Sequence, residues 1–249
     1  MRIFIDDMPF EATPDQFIID VAQQNGIEIP QLCHHDALWG QACCRLCVVE
    51  AIDARDKHSI VVSCTYPVKD GLKVYTKTEK IVQLRRMILA LLKEQAPEAQ
   101  GKLPEYCREY NVADYGLQFN KDKDEKCILC GLCSKACEEL GSCAIQTTMR
   151  GIDKVVAPPF NEPPETCIGC AACSRVCPTN AIECIDVHAY DQDTRTIWGK
   201  TFVLQRCAAC GKPYATQEEL EWLKGKLLDT ELNLSYCPAC RGRVSIATS

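Results

Sequence analysis

Twenty cysteines are spread over 249 residues, and sixteen of them fall into four closely spaced sets. That pattern constrains the fold more than any other feature, because each set must converge in space. At about 8% of the chain, cysteine at this density would suit a small secreted scaffold held by disulfides. Three features oppose that reading. The first residues, Met1-Arg2-Ile3-Phe4-Ile5-Asp6-Asp7, turn acidic at once and lack an apolar core of signal-peptide length. The cysteines come in x2 pairs, which suit chelation better than the cross-linking of distant segments. A chain of this length also folds without covalent staples. Reduced, metal-bound cysteine in a reducing cytoplasm is the expectation.

Two of the sets are tandem copies of one run. Cys127-x2-Cys130-x2-Cys133-x3-Cys137 recurs forty residues later as Cys167-x2-Cys170-x2-Cys173-x3-Cys177, with Pro178 after it. This is the bacterial ferredoxin spacing for two [4Fe–4S] clusters, in which three thiolates wrap one cluster and the fourth reaches the other. One cluster then takes Cys127, Cys130, Cys133 and Cys177; the other takes Cys137, Cys167, Cys170 and Cys173. Gly131 and Gly169 relieve crowding in the ligand turns. Pro178 fits the pattern, whereas Glu138 after Cys137 does not. A pair of zinc knuckles is the competing reading of the same residues.

Residues 1–77 read as a small β-rich domain. Strands are expected at Arg2–Ile5 and around Phe10. A helix should follow, started by Thr13-Pro14-Asp15-Gln16 and stopped at Asn25-Gly26, burying Phe17, Ile18, Val21 and Ala22. Further strands are expected at Cys47–Ala51, Ile60–Val62 and Leu72–Tyr75, an order that suits a β-grasp domain. The domain carries the third set, Cys33-x10-Cys44-x2-Cys47-x16-Cys64, whose first gap is longer than the plant-type spacing.

At Ile29-Pro30-Gln31-Leu32-Cys33-His34-His35 and Ala42-Cys43-Cys44-Arg45-Leu46-Cys47-Val48-Val49-Glu50 the chain resembles the [2Fe–2S] domain of the large iron–sulfur subunit of respiratory complex I. The same segment occurs in iron-only hydrogenases and in the diaphorase small subunit of NAD-linked hydrogenases. The resemblance covers about residues 1–186 and implies a [2Fe–2S] cluster on Cys33, Cys44, Cys47 and Cys64. Cys43 competes with Cys44, which keeps the C-R-x-C spacing. Those relatives usually add an H-x3-C-x2-C-x5-C motif for another [4Fe–4S] cluster. Here only Cys107, and no histidine, lies between Cys64 and Cys127, so that cluster should be absent. Cys107, Cys143 and Cys184 then default to buried apolar cysteines.

Residues 78–125 read as a helical connector. Thr78 caps a helix with Ile81, Leu84, Ile88, Leu91 and Leu92 in phase, a shorter helix follows Leu103-Pro104, and the charged run from Lys121 to Lys126 reads as a linker. The two-cluster ferredoxin domain fills 126–186. Residues 187–249 form a hairpin, turning at Asp191-Gln192-Asp193, and a small module with the fourth set, Cys207-x2-Cys210 and Cys237-x2-Cys240. Two x2 knuckles at this separation read as a structural zinc site. A rubredoxin-like single iron, favoured by Tyr214 after Cys210, and a further cluster are the other readings. A helix capped at Thr216 with Glu219, carrying Leu220, Leu223 and Leu227, favours the zinc ribbon. The fold class expected is therefore α+β: β-grasp [2Fe–2S] domain, short helical segment, two-cluster [4Fe–4S] ferredoxin domain and zinc-ribbon-like module.

His34 and His35 flank Cys33 and would ligate only if a cysteine failed; His58 and His188 read as solvated turn residues. The net charge of −6 gives no support to nucleic-acid binding, and no apolar run is long enough to span a bilayer. No glycine-rich dinucleotide fingerprint, P-loop or catalytic triad stands out, so no catalytic residue is assigned. An electron relay without a substrate site is expected to be a subunit. The resemblance implies its partners: an FMN-bearing NAD(P)-binding subunit, a thioredoxin-like [2Fe–2S] subunit, and a terminal hydrogenase, formate dehydrogenase, transhydrogenase or reductase, with electron bifurcation left open. An adaptor feeding a dedicated reductase not linked to NAD is the alternative, and a non-redox zinc scaffold the third.

Overall fold

The computed structural model describes residues 1–38, 40–118, 122–226 and 233–247, with side chains to residue 242. The chain divides into two compact units, Met1–Leu132 with Val176–Ala181, and Cys133–Arg175 with Ile182–Ser249.

In the first unit, strands β1 (Arg2–Ile5), β2 (Met8–Glu11), β3 (Val48–Ile52), β4 (His58–Val62) and β5 (Lys73–Tyr75) form one sheet in the order β2-β1-β5-β3-β4. β1 pairs parallel with β5; the other pairs are antiparallel. Helix α1 (Ile18–Gln24) lays Ile18, Ile19, Val21 and Ala22 against Ile3, Ile5, Val49, Ala51 and Val74 of the sheet. It starts four residues later than Thr13-Pro14 predicts. Backbone bonds from Ile18 N to Tyr66 O (3.1 Å) and from Val68 N to Gln16 O (3.0 Å) hold residues 16–18 extended against 66–68. Asp20 instead takes the Phe17 N–H at 2.7 Å, and Thr13 N donates to Gln16 Oε1 within a turn. His58 lies in β4, opposite Ile52, rather than in a turn.

Helix α2 (Glu79–Gln95) is capped as its sequence predicts, with Thr78 Oγ1 accepting from Ile81 N. Its buried stripe is Ile81, Arg85, Leu89, Ala90 and Leu92; Leu91 is exposed. The stripe therefore includes an arginine, 0% exposed, whose Nη2 donates to Val48 O at 2.8 Å and Nη1 to Tyr110 Oη at 3.1 Å. Helix α3 (Lys102–Glu109) packs on α2, and its start is tied down by Gln100 N to Thr179 O and Lys102 N to Pro178 O, each 3.1 Å. Around them a second core joins Leu32, Leu46, Leu89, Leu92 and Leu103 with Cys33, Cys44 and Cys130.

The second unit carries most of helix α4 (Leu132–Glu139), a two-stranded ribbon of β6 (Gln146–Thr148) and β7 (Val155–Ala157), and the short helix α5 (Ala172–Arg175). A four-stranded antiparallel sheet follows: β8 (Cys184–His188), β9 (Asp193–Ile197), β10 (Lys200–Arg206) and β11 (Pro213–Thr216), in the order β11-β10-β9-β8. The β8–β9 hairpin lies where Asp191-Gln192-Asp193 places a turn, so His188 ends a strand, opposite Asp193. Helices α6 (Gln217–Lys226) and α7 (Pro238–Ala247) close the chain. Thr216 Oγ1 caps α6 by accepting from Glu219 N, and Leu220 is buried; Leu227 and Lys121 lie outside the described residues. Among the described residues, no helix is long and apolar enough to cross a membrane.

Candidate metal centres

The four cysteines of the N-terminal set are all buried, none more than 3% exposed. Cys33 lies within the connection from α1 to β3 and Cys64 in the turn directly after β4, while Arg45, at φ +59°, folds the chain back between Cys44 and Cys47. The thiols associate in two pairs. Cys33 shares its proton with Cys44, which lowers Cys44 to about 6; Cys64 does the same for Cys47, which falls to about 7. The donors Cys33 and Cys64 are raised in turn by those bonds and by burial. Two thiol pairs within electrostatic reach of each other suit two irons bridged by sulfide, each held by two thiolates. Cys44 N also donates to Cys33 Sγ at 3.4 Å. Cys43 is exposed and hydrogen-bonds to Gln41 O instead. His34 is largely buried beside this set, with Nδ1 lacking a protein partner. An open hollow beside Cys64 is lined by His34, Asp15, Asp20 and Asp36.

The tandem runs fold alike. In each, the second residue after the first cysteine and the residue after the second cysteine take left-handed backbone: Leu129 (φ +53°) and Gly131 (+80°), then Gly169 (+68°) and Ala171 (+59°). The Leu129 turn, and the segments that follow the last cysteine of each run, aim backbone N–H groups at sulfur. Leu129 N donates to Cys127 Sγ at 3.3 Å, Ala144 N to Cys137 Sγ at 3.2 Å and Ala181 N to Cys177 Sγ at 3.3 Å. Hydrogen bonds to a thiolate stabilise its negative charge and are one lever on a cluster's potential.

Cys137, Cys167, Cys170 and Cys173 line one apolar cavity in the second unit. Two further residues of its wall carry buried donors: Ser142, whose Oγ has no protein partner, and Trp198, whose indole N–H faces the Cys173 thiol. Buried donors are costly unless something accepts from them, and the sulfides of an iron–sulfur cluster are acceptors of that kind. Burial raises Cys167 and Cys170 and pushes Cys173 up to about 12, so metal binding there is coupled to the release of thiol protons. The residues fit a [4Fe–4S] cluster. Of the other run, Cys127, Cys130 and Cys177 belong to the first unit, and Cys133 belongs to the second.

At the C-terminal set the sulfurs of Cys207, Cys210, Cys237 and Cys240 all lie within 4.8 Å of one another, with Cys210 and Cys237 4.0 Å apart. Four thiolates about 2.3 Å from one tetrahedral zinc stand roughly 3.8 Å apart. The set is thus gathered for a single ion. The Cys237 N–H donates to Cys207 Sγ at 3.3 Å and, as the largest influence, lowers Cys207 to about 6; hydrogen bonds to its neighbours raise Cys240 to about 12. Gly211 follows the first knuckle at φ +69°.

The remaining cysteines depart from expectation. Cys143 is exposed, on a left-handed turn (φ +45°) after α4, and Cys107 and Cys184 are half-buried rather than enclosed. Their isolation from the four sets gives no sequence signal of exposure, because burial depends on how α3, β8 and the loop after α4 pack. Ser142 and Trp198 carry no sequence signal either; the segment after α4 and the β9–β10 turn bring them to the cavity wall.

Residues 1–79 match the family model for the 2Fe-2S iron-sulfur cluster binding domain, and residues 163–183 that for the 4Fe-4S binding domain. The chain therefore carries iron–sulfur domains of both types. It is 29% identical over 211 residues to the NADP-reducing hydrogenase subunit HndD of Solidesulfovibrio fructosivorans, spanning 73% of this chain and 36% of that one. It is 31% identical over 208 residues to the NADPH-Fe(3+) oxidoreductase subunit alpha of Geobacter sulfurreducens, spanning 73% and 24% respectively. Among solved structures, a chain of the NAD+-reducing [NiFe]-hydrogenase in its H2-reduced state superposes with a TM-score of 0.64 at 25% identity, over 72% of this chain and 85% of that one. The resemblance to iron–sulfur subunits of NAD(P)-linked oxidoreductases thus holds. The chain itself spans between about a quarter and about a third of the length of these two curated relatives.

Proposed function

We propose that the chain is the iron–sulfur relay subunit of a multi-subunit, flavin-dependent NAD(P)-linked oxidoreductase. The observation that carries the reading is the cavity walled by Cys137, Cys167, Cys170 and Cys173, with the unpartnered Ser142 Oγ and the Trp198 indole N–H facing it, in a chain that also carries a [2Fe–2S]-type domain. The ligand sets are Cys33, Cys44, Cys47 and Cys64 for one [2Fe–2S] cluster; Cys127, Cys130, Cys133 and Cys177 for one [4Fe–4S] cluster; and Cys137, Cys167, Cys170 and Cys173 for the other. Zinc is assigned to Cys207, Cys210, Cys237 and Cys240, whose close sulfur spacing supports a single tetrahedral ion.

Iron–sulfur clusters supply one-electron storage and transfer. The chain's own work is to ligate them, to exclude water and to set their potentials. Buried cysteines and the Leu, Ile and Val side chains around them keep the sites dry, and backbone N–H groups at Cys33, Cys127, Cys137 and Cys177 offset thiolate charge. No residue here reads as a binder of dinucleotide, so the two-electron chemistry belongs to partners: an FMN subunit oxidising or reducing NAD(P), and a terminal hydrogenase, dehydrogenase or reductase. The cytoplasm, where thiols stay reduced, is the proposed location.

Anaerobic affinity purification from the source organism tests the reading. A stoichiometric flavin subunit is expected, with NAD(P)H bleaching the cluster absorbance. A lone chain, or one bound only to flavin-free partners, would overturn it.

A further inference from the structure

The four-cysteine site at the C-terminus lies outside both iron–sulfur domain matches, and its purpose can be read from what its strands grip. β10 runs directly into Cys207, and Cys210-Gly211 leads into β11. A metal at this knuckle therefore closes the β10–β11 hairpin, whose pairing is already irregular between Gln205 and Arg206. Besides its own buried Leu204 and Ala215, the sheet leans on the cluster loop. Phe202 and Ile197 are buried together with Ala171 and Cys173 of the cluster loop.

The grip is extensive. Lys200 Nζ, at the start of β10, donates to Glu165 O (3.1 Å) and Cys167 O (2.9 Å). Thr216 Oγ1, at the end of β11, donates to Ile168 O. Arg195, on β9 and fixed by two 2.7 Å bonds to Asp186, donates to Gly169 O at 3.1 Å. A Cβ on Gly169 would lie 2.7 Å from the Phe202 ring and 2.9 Å from Thr216 Cγ2. Three consecutive carbonyls of the loop, at residues 167, 168 and 169, are thus held by one sheet. The turn between β9 and β10 also supplies Trp198 to the wall of the cavity.

We propose that zinc at Cys207, Cys210, Cys237 and Cys240 is a structural brace for the Cys167–Cys173 loop, so that the cluster in that cavity is retained and shielded from oxygen only while the hairpin is metal-closed. The inference rests on the cluster and zinc assignments made above. A small sheet that rests on a ligand loop and the single helix α6 gains from an added constraint that holds it in place, and a metal staple supplies it. Anchors around a metal's ligands commonly govern its retention by about tenfold to a hundredfold.

The test uses the full chain, purified anaerobically, in wild-type, Cys210→Ser and Lys200→Met forms, with zinc and iron counted and the surviving centres read by EPR on aliquots taken during air exposure and then reduced anaerobically with dithionite. Cys170→Ser identifies the signal of the braced cluster. In Cys210→Ser, zinc should fall to near zero and that signal should decay at least about tenfold faster, while the [2Fe–2S] signal is unchanged and reports an intact first domain. Lys200→Met should keep its zinc yet lose the same cluster faster than wild type. Loss of zinc with an unaltered cluster lifetime would overturn the brace, as would iron in place of zinc in the wild-type site. A wild-type chain lacking [4Fe–4S] signals would instead overturn the relay reading itself.

Discussion

Single residues decide how the cluster loops are built, and two of them make sharp predictions. Gly169 and Leu129 occupy equivalent positions in the tandem runs, and both are left-handed. Leu129 shows that a side chain is tolerated there on backbone grounds, at a cost of about 1–2 kcal/mol. Gly169 is required because Phe202 and Thr216 close on it, a reason the sequence repeat does not disclose. Gly169→Ala should cost a further 1–3 kcal/mol, roughly, through overpacking; a thermal midpoint indistinguishable from wild type, with full iron content, would refute the contact. Arg85 was equally hidden. The helical period of α2 marks its apolar stripe, but not the charged residue within it, because two distant acceptors, Val48 O and Tyr110 Oη, hold its guanidinium. Arg85→Lys keeps the charge and cannot reproduce the fork, so denaturant unfolding should show a loss of about 1–3 kcal/mol.

At the scale of elements, local rules succeeded where local bonds decide. Thr78 caps α2 through Ile81 N, and Thr78→Ala is expected to cost about 1 kcal/mol, measurable by the same unfolding series. The five strands of the first sheet, the β8–β9 hairpin and the Thr216 cap were legible from alternation, turn residues and capping chemistry. Helix α1 was misplaced for the opposite reason. Thr13-Pro14-Asp15-Gln16 carries every mark of a helix start, yet the backbone of residues 16–18 bonds to 66–68, and tertiary pairing outweighs a capping signature worth about 1 kcal/mol. The β6–β7 ribbon had no sequence signal strong enough to separate it from ligand loops. Cysteine spacing told which residues converge in the C-terminal knuckle, since four sulfurs do gather there. It was silent on Trp198 and Ser142, which come from segments without a motif.

For the whole molecule, the proposed ligand sets predict a metal inventory. One [2Fe–2S] and two [4Fe–4S] clusters with one structural ion amount to about ten irons and about one zinc per chain. A chelator strong enough to strip zinc under anaerobic conditions should therefore remove one ion without lowering iron at first. The acidic charge of −6 and the acidic hollow beside Cys64 place negative potential near the first cluster set. A redox partner docking there needs a basic face, so its reduction of the [2Fe–2S] centre should slow as ionic strength rises. The central claim, that this chain passes single electrons between a pyridine nucleotide–flavin partner and a terminal enzyme, is tested most directly by EPR on the anaerobically isolated complex titrated with NAD(P)H. The account predicts three distinct iron–sulfur signals that grow in with added NAD(P)H and disappear on reoxidation. Iron near zero, or clusters that dithionite reduces and NAD(P)H leaves oxidised, would contradict it.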